Sequence, residues 1–165
     1  MGVAWMSPIS RRNLPHWEEA GRAYFITFRT AAGIVLCGEA KDIVLASVKF
    51  HAGTRYALYG CVVMNTHVHC VLQPLERDVA RASPPVSGSF YTLAQIAHSV
   101  KSYSAHSINR ALKRKGAVWL DENYDRAIRN EREFLTEMAY IVNNPAEAGL
   151  VGNGEHYRWL YVPGL

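Results

Sequence analysis

Cysteine is scarce and poorly placed for a framework. The chain has three, Cys37, Cys61 and Cys70, an odd number at wide spacing with no C-x-x-C pair. That excludes a disulfide scaffold and a zinc knuckle, and all three thiols are expected to be buried or half-buried. Long apolar runs are missing too. The longest, around Tyr56 to Met64, is about half of the roughly 20 residues that a membrane-spanning helix requires. The opening stretch MGVAWMSPISRR puts its basic residues after a short apolar patch broken by Pro8, the reverse of a secretory signal, so the sequence predicts a cytoplasmic protein with no membrane partner. Charged residues make up only 19%, yet 18 Lys+Arg against 14 Asp+Glu leave a net charge of +4, a mild bias toward anionic partners. No internal repeat is visible. What the chain does have is a 49% hydrophobic share over 165 residues, which excludes wholesale disorder and suits one domain spanning residues 1–165.

Ala23 to Thr30 (AYFITFRT) is aromatic and β-branched between Gly21 and Gly33 and predicts a first strand. Glu39 to His51 lacks Gly and Pro and predicts a helix. Tyr56 to Met64 and His67 to Gln73, separated by Asn65 and Thr66, predict a β-hairpin at the sheet centre. Leu75 to Ser89, with Pro84, Pro85 and Gly88, predicts an internal flexible loop over 75–90. Thr92 to Arg114 carries Leu93, Ile96, Ala97, Val100, Tyr103, Ile108 and Leu112 at helical spacing and stops at Gly116, with Tyr103 expected in the core. Ala117 to Ile128 has room for a short strand. Glu131 to Asn144 predicts a last helix, closed by Pro145 and Gly149. This order suggests an α+β fold, a ferredoxin-like or RRM-like sandwich with an antiparallel sheet and helices on one face.

His67-Val68-His69 falls in the second hairpin strand, where alternation sends both imidazoles to one face and Val68, Cys70 and Leu72 to the other. Such a pair presets two metal ligands, although two surface histidines of a sheet leave the same trace. A third histidine would have suggested an H-x-H-x-H nucleotide hydrolase, but Val71 stands there. In the last helix Phe134, Leu135, Met138, Ile141 and Val142 share an apolar arc. Tyr140 falls roughly opposite its centre, with Asn144 one turn on and Glu133 and Glu137 nearby. An outward tyrosine is often only a surface residue. Paired with the histidines it makes a coherent site: His67, His69 and the Asn144 amide oxygen as ligands of a divalent cation, and Tyr140 attacking a phosphodiester to give a covalent phosphotyrosine and expel a hydroxyl.

The chain also resembles a known family, the single-tyrosine HUH transposases, and among them the REP-associated tyrosine transposases. The resemblance rests on RRNLPHWEEAGRAYFITFR, YGCVVMNTHVHCVLQP, VWLDENYDRAIRNE and YIVNNPAEAGLV, in that order along most of the chain. It implies magnesium or manganese held by His67 and His69, with Asn144 at a third ligand position and Tyr140 as nucleophile. It further implies single-stranded hairpin DNA beside a recognition tetranucleotide as substrate, a 5′-phosphotyrosine product with a free 3′-hydroxyl, and a ferredoxin-like fold. Asn65-Thr66 stands where relatives commonly carry Pro-Asn. Arg126 of Tyr124-Asp125-Arg126 stands where a histidine is frequent. Tyr124 and Tyr103 are rival nucleophiles.

His98, Lys101, Asn109, Arg110, Lys113, Arg114 and Lys115 occupy the polar side and end of the long helix. They are a solvated basic face or, as a group, phosphate contacts that bind without reading sequence. Arg11, Arg12, Trp17 and Arg29 are candidates to grip or stack on unpaired bases. Two rivals to the transposase reading remain: a domesticated hairpin-binding protein without transposition, and a metal-dependent phosphodiesterase using water. Monomer and homodimer are equally open.

Overall fold

The computed structural model describes residues 22–77 and 90–165; Arg11, Arg12, Trp17 and most of the 75–90 loop lie outside them. The elements are β1 (Tyr24–Thr30), α1 (Gly38–Phe50), β2 (Tyr56–Val63), β3 (His67–Pro74), α2 (Leu93–Ala111), β4 (Trp119–Ala127), α3 (Glu131–Glu147) and β5 (Leu160–Tyr161). They build one antiparallel sheet in the order β4-β1-β3-β2-β5. The βαββαβ order from β1 to β4, with β3 and β1 inside, is the ferredoxin-like α+β arrangement. The central hairpin closes through Asn65 and Thr66, with Met64 N–H donating to His67 O at 2.8 Å.

The alternation of β1 and β3 sorts their side chains onto two layers. Ile26, Phe28, Val68, Cys70 and Leu72 face α1 and α2, where they meet Val44, Val48, Ile96, Val100 and Ile108. Phe25, Val62 and Val71 face the other way and are covered by Phe134, Met138 and Ile141 of α3. Helices therefore cover both faces, which corrects the expectation of one. A sheet whose central strands are apolar on both sides needs a second cover.

Other boundaries shift for local reasons. Thr92 and Gln95 form a capping box at the start of α2, but the helix stops at Ala111 rather than Arg114. Lys113 turns into the left-handed region (φ 49°), so neither Lys113 nor Arg114 is helical. α3 runs through Pro145 to Glu147 instead of ending at Asn144. The proline forfeits one hydrogen bond, to the Ile141 carbonyl, within the final turn, and its ring is buried. Gly149 (φ 69°) then closes the helix, with its N–H on Ala146 O and that of Leu150 on Pro145 O, a Schellman motif. β4 is nine residues long rather than short. β5 was not foreseen at all.

Tyr103 is not core: it is 64% exposed. Ser104 takes the buried position, donating to Val100 O (2.7 Å) and accepting from Trp119 Nε1 (3.0 Å). Of the cysteines, Cys61 and Cys70 are buried side by side across β2 and β3, but Cys37, just before α1, is exposed. No helix among the described residues is long and apolar enough to cross a membrane.

Candidate active site

The site stands where the apolar cover of α3 gives out. Along β1 the face that begins with Phe25 continues through Thr27 to Arg29. Along β3 the same face runs from Val71 through His69 to His67, and the register pairs Thr27 with His69 and Arg29 with His67. The two imidazole centroids are 4.7 Å apart. Tyr140, at the margin of α3, brings its Oη to 3.5 Å from His69 Nε2, the outer limit of a hydrogen bond. Phe25 forms the floor, stacked on His69 (5.3 Å, 25°) and edge-on to Tyr140 (5.9 Å, 67°).

His69 is held at its other nitrogen, where Nδ1 shares a 2.7 Å hydrogen bond with Thr27 Oγ1. Thr66 Oγ1 approaches His67 Nδ1 at 3.3 Å. Desolvation, then the His67 charge and then Arg29 push the His69 pKa down to about 4. Desolvation and Arg29 also lower that of His67. Both rings are neutral at neutral pH, the form that coordinates a metal. Engaging Nδ1 and leaving Nε2 toward the site is how an outer partner orients a ligating histidine.

The turn carrying His67 is anchored from below. Lys41 of α1, 6% exposed, has no carboxylate partner among the described residues. Its Nζ donates to Asn65 Oδ1 (2.6 Å) and to Tyr157 Oη (3.1 Å) and lies 4.4 Å from the Trp159 ring centroid. Tyr157 in turn donates to Val63 O at 2.9 Å. Asn65 thus ties the hairpin turn to α1.

The structure brings together His67, His69 and Tyr140. Asn144 lies one turn beyond Tyr140 and is buried, but it makes no hydrogen bond to either imidazole. Glu137 and Glu133 are engaged by Arg126 and Arg129. No cluster of three or more His, Cys, Asp or Glu occurs among the described residues. The basic residues of α2 lie across the sheet from Tyr140, because α2 covers the opposite face. Lys101 is occupied there: its ammonium binds Leu120 O, Asp121 O and Asn123 Oδ1, at a bulge in β4 opposite Arg29. Arg114, past the end of α2, is engaged locally, donating to Asn109 Oδ1 (3.0 Å) and Ala117 O (3.3 Å). Arg110 and Lys113 are exposed and form no ion pair with a described residue. The sequence reading missed Thr27 and Phe25; their signal was the β1 alternation, which becomes informative only once the register against β3 is known.

No family model matches the chain, and no curated protein matches it. Among solved structures it is similar to a REP-associated tyrosine transposase bound to a REP hairpin, with a TM-score of 0.58 and 18% identity over 84% of this chain and 74% of that one. It is also similar to a Deinococcus radiodurans protein proposed to be a transposase, with a TM-score of 0.46 and 18% identity over 79% of this chain and 95% of that one. The class defined here is the fold: this chain has the α+β fold of the REP-associated tyrosine transposase.

Proposed function

We propose that this protein is a DNA-processing enzyme of the REP-associated tyrosine transposase type, which nicks and rejoins single-stranded hairpin DNA through Tyr140. The observation that carries the reading is the 3.5 Å approach of the Tyr140 phenol to His69 Nε2 while Thr27 holds Nδ1. Fold likeness alone would not carry it.

A tyrosine hydroxyl that keeps its proton is a weak nucleophile, so the electrophile has to be activated. A bound divalent cation supplies charge neutralisation on the phosphate oxygens. The residues that fit such an ion are His67 and His69, neutral and on one face, with the Asn144 carboxamide as the third candidate. This nitrogen-containing set is softer than the all-oxygen sites magnesium favours, which points to manganese as the better activator. Tyr140 Oη bonds to phosphorus as the bond to the 3′-oxygen breaks. The phenolic proton leaves to water, and the departing oxygen takes one up as a 3′-hydroxyl. Tyr140 is 41% exposed, so a strand can reach it. Phe25 and α3 fix where its ring lies, so the reacting atoms meet without ordering a loop.

The test incubates the protein with manganese or magnesium and labelled hairpins carrying varied single-stranded flanks, then looks for a denaturation-resistant protein–DNA adduct. The expected result is an adduct that Tyr140→Phe and chelation abolish and that His67→Ala loses while DNA binding persists. Cleavage without an adduct assigns the chemistry to water. Hairpin binding with neither assigns a binding module. An adduct surviving Tyr140→Phe moves the nucleophile, with Tyr124 first in line.

A further inference from the structure

Tyr124 occupies an unusual place for an exposed aromatic. In β4 it pairs with Thr27, the residue that holds His69, so a single row across the sheet reads Tyr124, Thr27, His69. With strands spaced about 4.8 Å apart, the β4 backbone lies about 10 Å from that of β3 at this row. Tyr124 is nonetheless 59% exposed. One row further, Arg126 is drawn to Glu137 of α3 and half-buried, which marks where the helix cover ends. In the other direction Arg29 stands beside His67, exposed and in no ion pair with a described residue. Alternation turns the acidic neighbour Asp125, and Asn123 with its bond to Lys101, to the α2 side. An aromatic ring and an unneutralised guanidinium thus share an open strip beside the histidines and Tyr140.

We propose that Tyr124 and Arg29 form a subsite for one unpaired nucleotide of single-stranded DNA flanking the reacting phosphodiester, the base stacked on the Tyr124 ring and a phosphate on the Arg29 guanidinium. This rests on the DNA-processing reading of the adjacent site. Stacking accepts any base because every base has a π-face, and it gives an edge strand a way to hold a strand without reading it. Arg29 is the geometric complement, since its planar fork matches a phosphate. Tyr124 is then a binding residue for the flanking nucleotide and not the nucleophile.

The test reads binding alone, in chelator, with the full chain and a single strand of oligo(dT) carrying one 2-aminopurine at successive positions. One position is expected to show quenched fluorescence on the parent protein. Tyr124→Ala removes that quenching and weakens binding about tenfold, and Tyr124→Phe restores both because the ring suffices. Arg29→Gln lowers the slope of log affinity against log salt by about 0.7, the share of one phosphate contact on a single strand. Parent protein that does not bind the strand, Tyr124→Ala that binds like the parent, or an unchanged salt slope overturns the subsite. So does an adduct lost in Tyr124→Phe at saturating DNA, which would make Tyr124 the nucleophile. Because no chemistry is involved in the binding assay, absence of any covalent adduct sinks the enzymatic reading while leaving the subsite standing. Adduct formation alongside unaltered binding by Tyr124→Ala sinks the subsite alone.

Discussion

The two faces of the sheet are made by the same strands and treat polarity in opposite ways. Toward α1 and α2, strands β1 and β3 present Ile26, Phe28, Val68, Cys70 and Leu72 to a sealed apolar layer. One residue along, toward α3, the same strands begin apolar with Phe25 and Val71 and then turn to Thr27, Arg29, His67 and His69. Thr27 and His69 are almost fully buried in the protein alone. Polar groups on inner strands cost desolvation that an apolar side chain would not, so their presence on one face only marks that face as the working one. The sealed face supplies stability, and the half-covered face gives some of it up.

The largest effect that can break this contrast lies within β4, which contributes to both faces. Trp119 is buried against Phe28 with its ring edge-on (5.0 Å, 75°) and donates to Ser104. Trp119→Ala is expected to cost about 3–5 kcal/mol in urea denaturation, against less than about 0.5 kcal/mol for Tyr124→Ala five residues on. Equal losses at the two positions would show that the exposed end of β4 is structural and that the open strip is an illusion of one conformation.

Next in size are neighbours on β3 that point in opposite directions. Val68→Thr keeps the shape and places a hydroxyl in the sealed layer, at an expected cost of about 2 kcal/mol. The double change Thr27→Val with His69→Val removes both partners of the 2.7 Å bond, and such paired replacement is near neutral or stabilising. The double variant is therefore expected to unfold at the same or higher denaturant concentration than the parent while forming no DNA adduct. Thr27→Val alone should keep the fold and weaken manganese binding about 10- to 100-fold, the usual loss when an outer partner of a ligating histidine is removed. A double variant destabilised by more than about 1 kcal/mol would make the pair a structural one.

How much of this was legible follows from the range of the interactions. The period of two in HVHC put both histidines on one face because it is a local repeat, whereas the helical period of α3 set Tyr140 roughly opposite the apolar arc and not at the margin where it meets Phe25 and His69. Thr27 lies 42 residues from His69 and Tyr140 lies 71 from it, so their meeting depends on strand register and on which face α3 covers. Periodicity does not encode either. The same gap explains the misplacement of Tyr103: the apolar stripe of α2 accommodated it, yet Ser104 is buried because Trp119 of another strand offers it a donor. The reading of Lys101 as a phosphate contact likewise had no view of the β4 bulge, whose backbone oxygens hold that ammonium.

The last contrast is a small difference between two variants at the buried post beneath the hairpin turn. Lys41 sits under the hairpin turn with an amide, a phenol and two rings for company, and burial lowers its pKa. Lys41→Met replaces a desolvated charge with an apolar chain of similar length, so the lost bonds and the relieved desolvation nearly cancel, and a net cost under about 1 kcal/mol is expected. Asn65→Ala keeps the ammonium and removes its 2.6 Å acceptor, and hydrogen bonds to charged groups are worth about 1.5–3 kcal/mol. Asn65→Ala should therefore be the more damaging of the two in denaturant titration, although it deletes the smaller group. If Lys41→Met proves worse, the charge itself is stabilising there, held by the Trp159 and Tyr157 rings more than by Asn65. Lys41 would then be held chiefly by cation–π contact with the carboxy-terminal segment, and its hydrogen bond to the hairpin turn would be secondary.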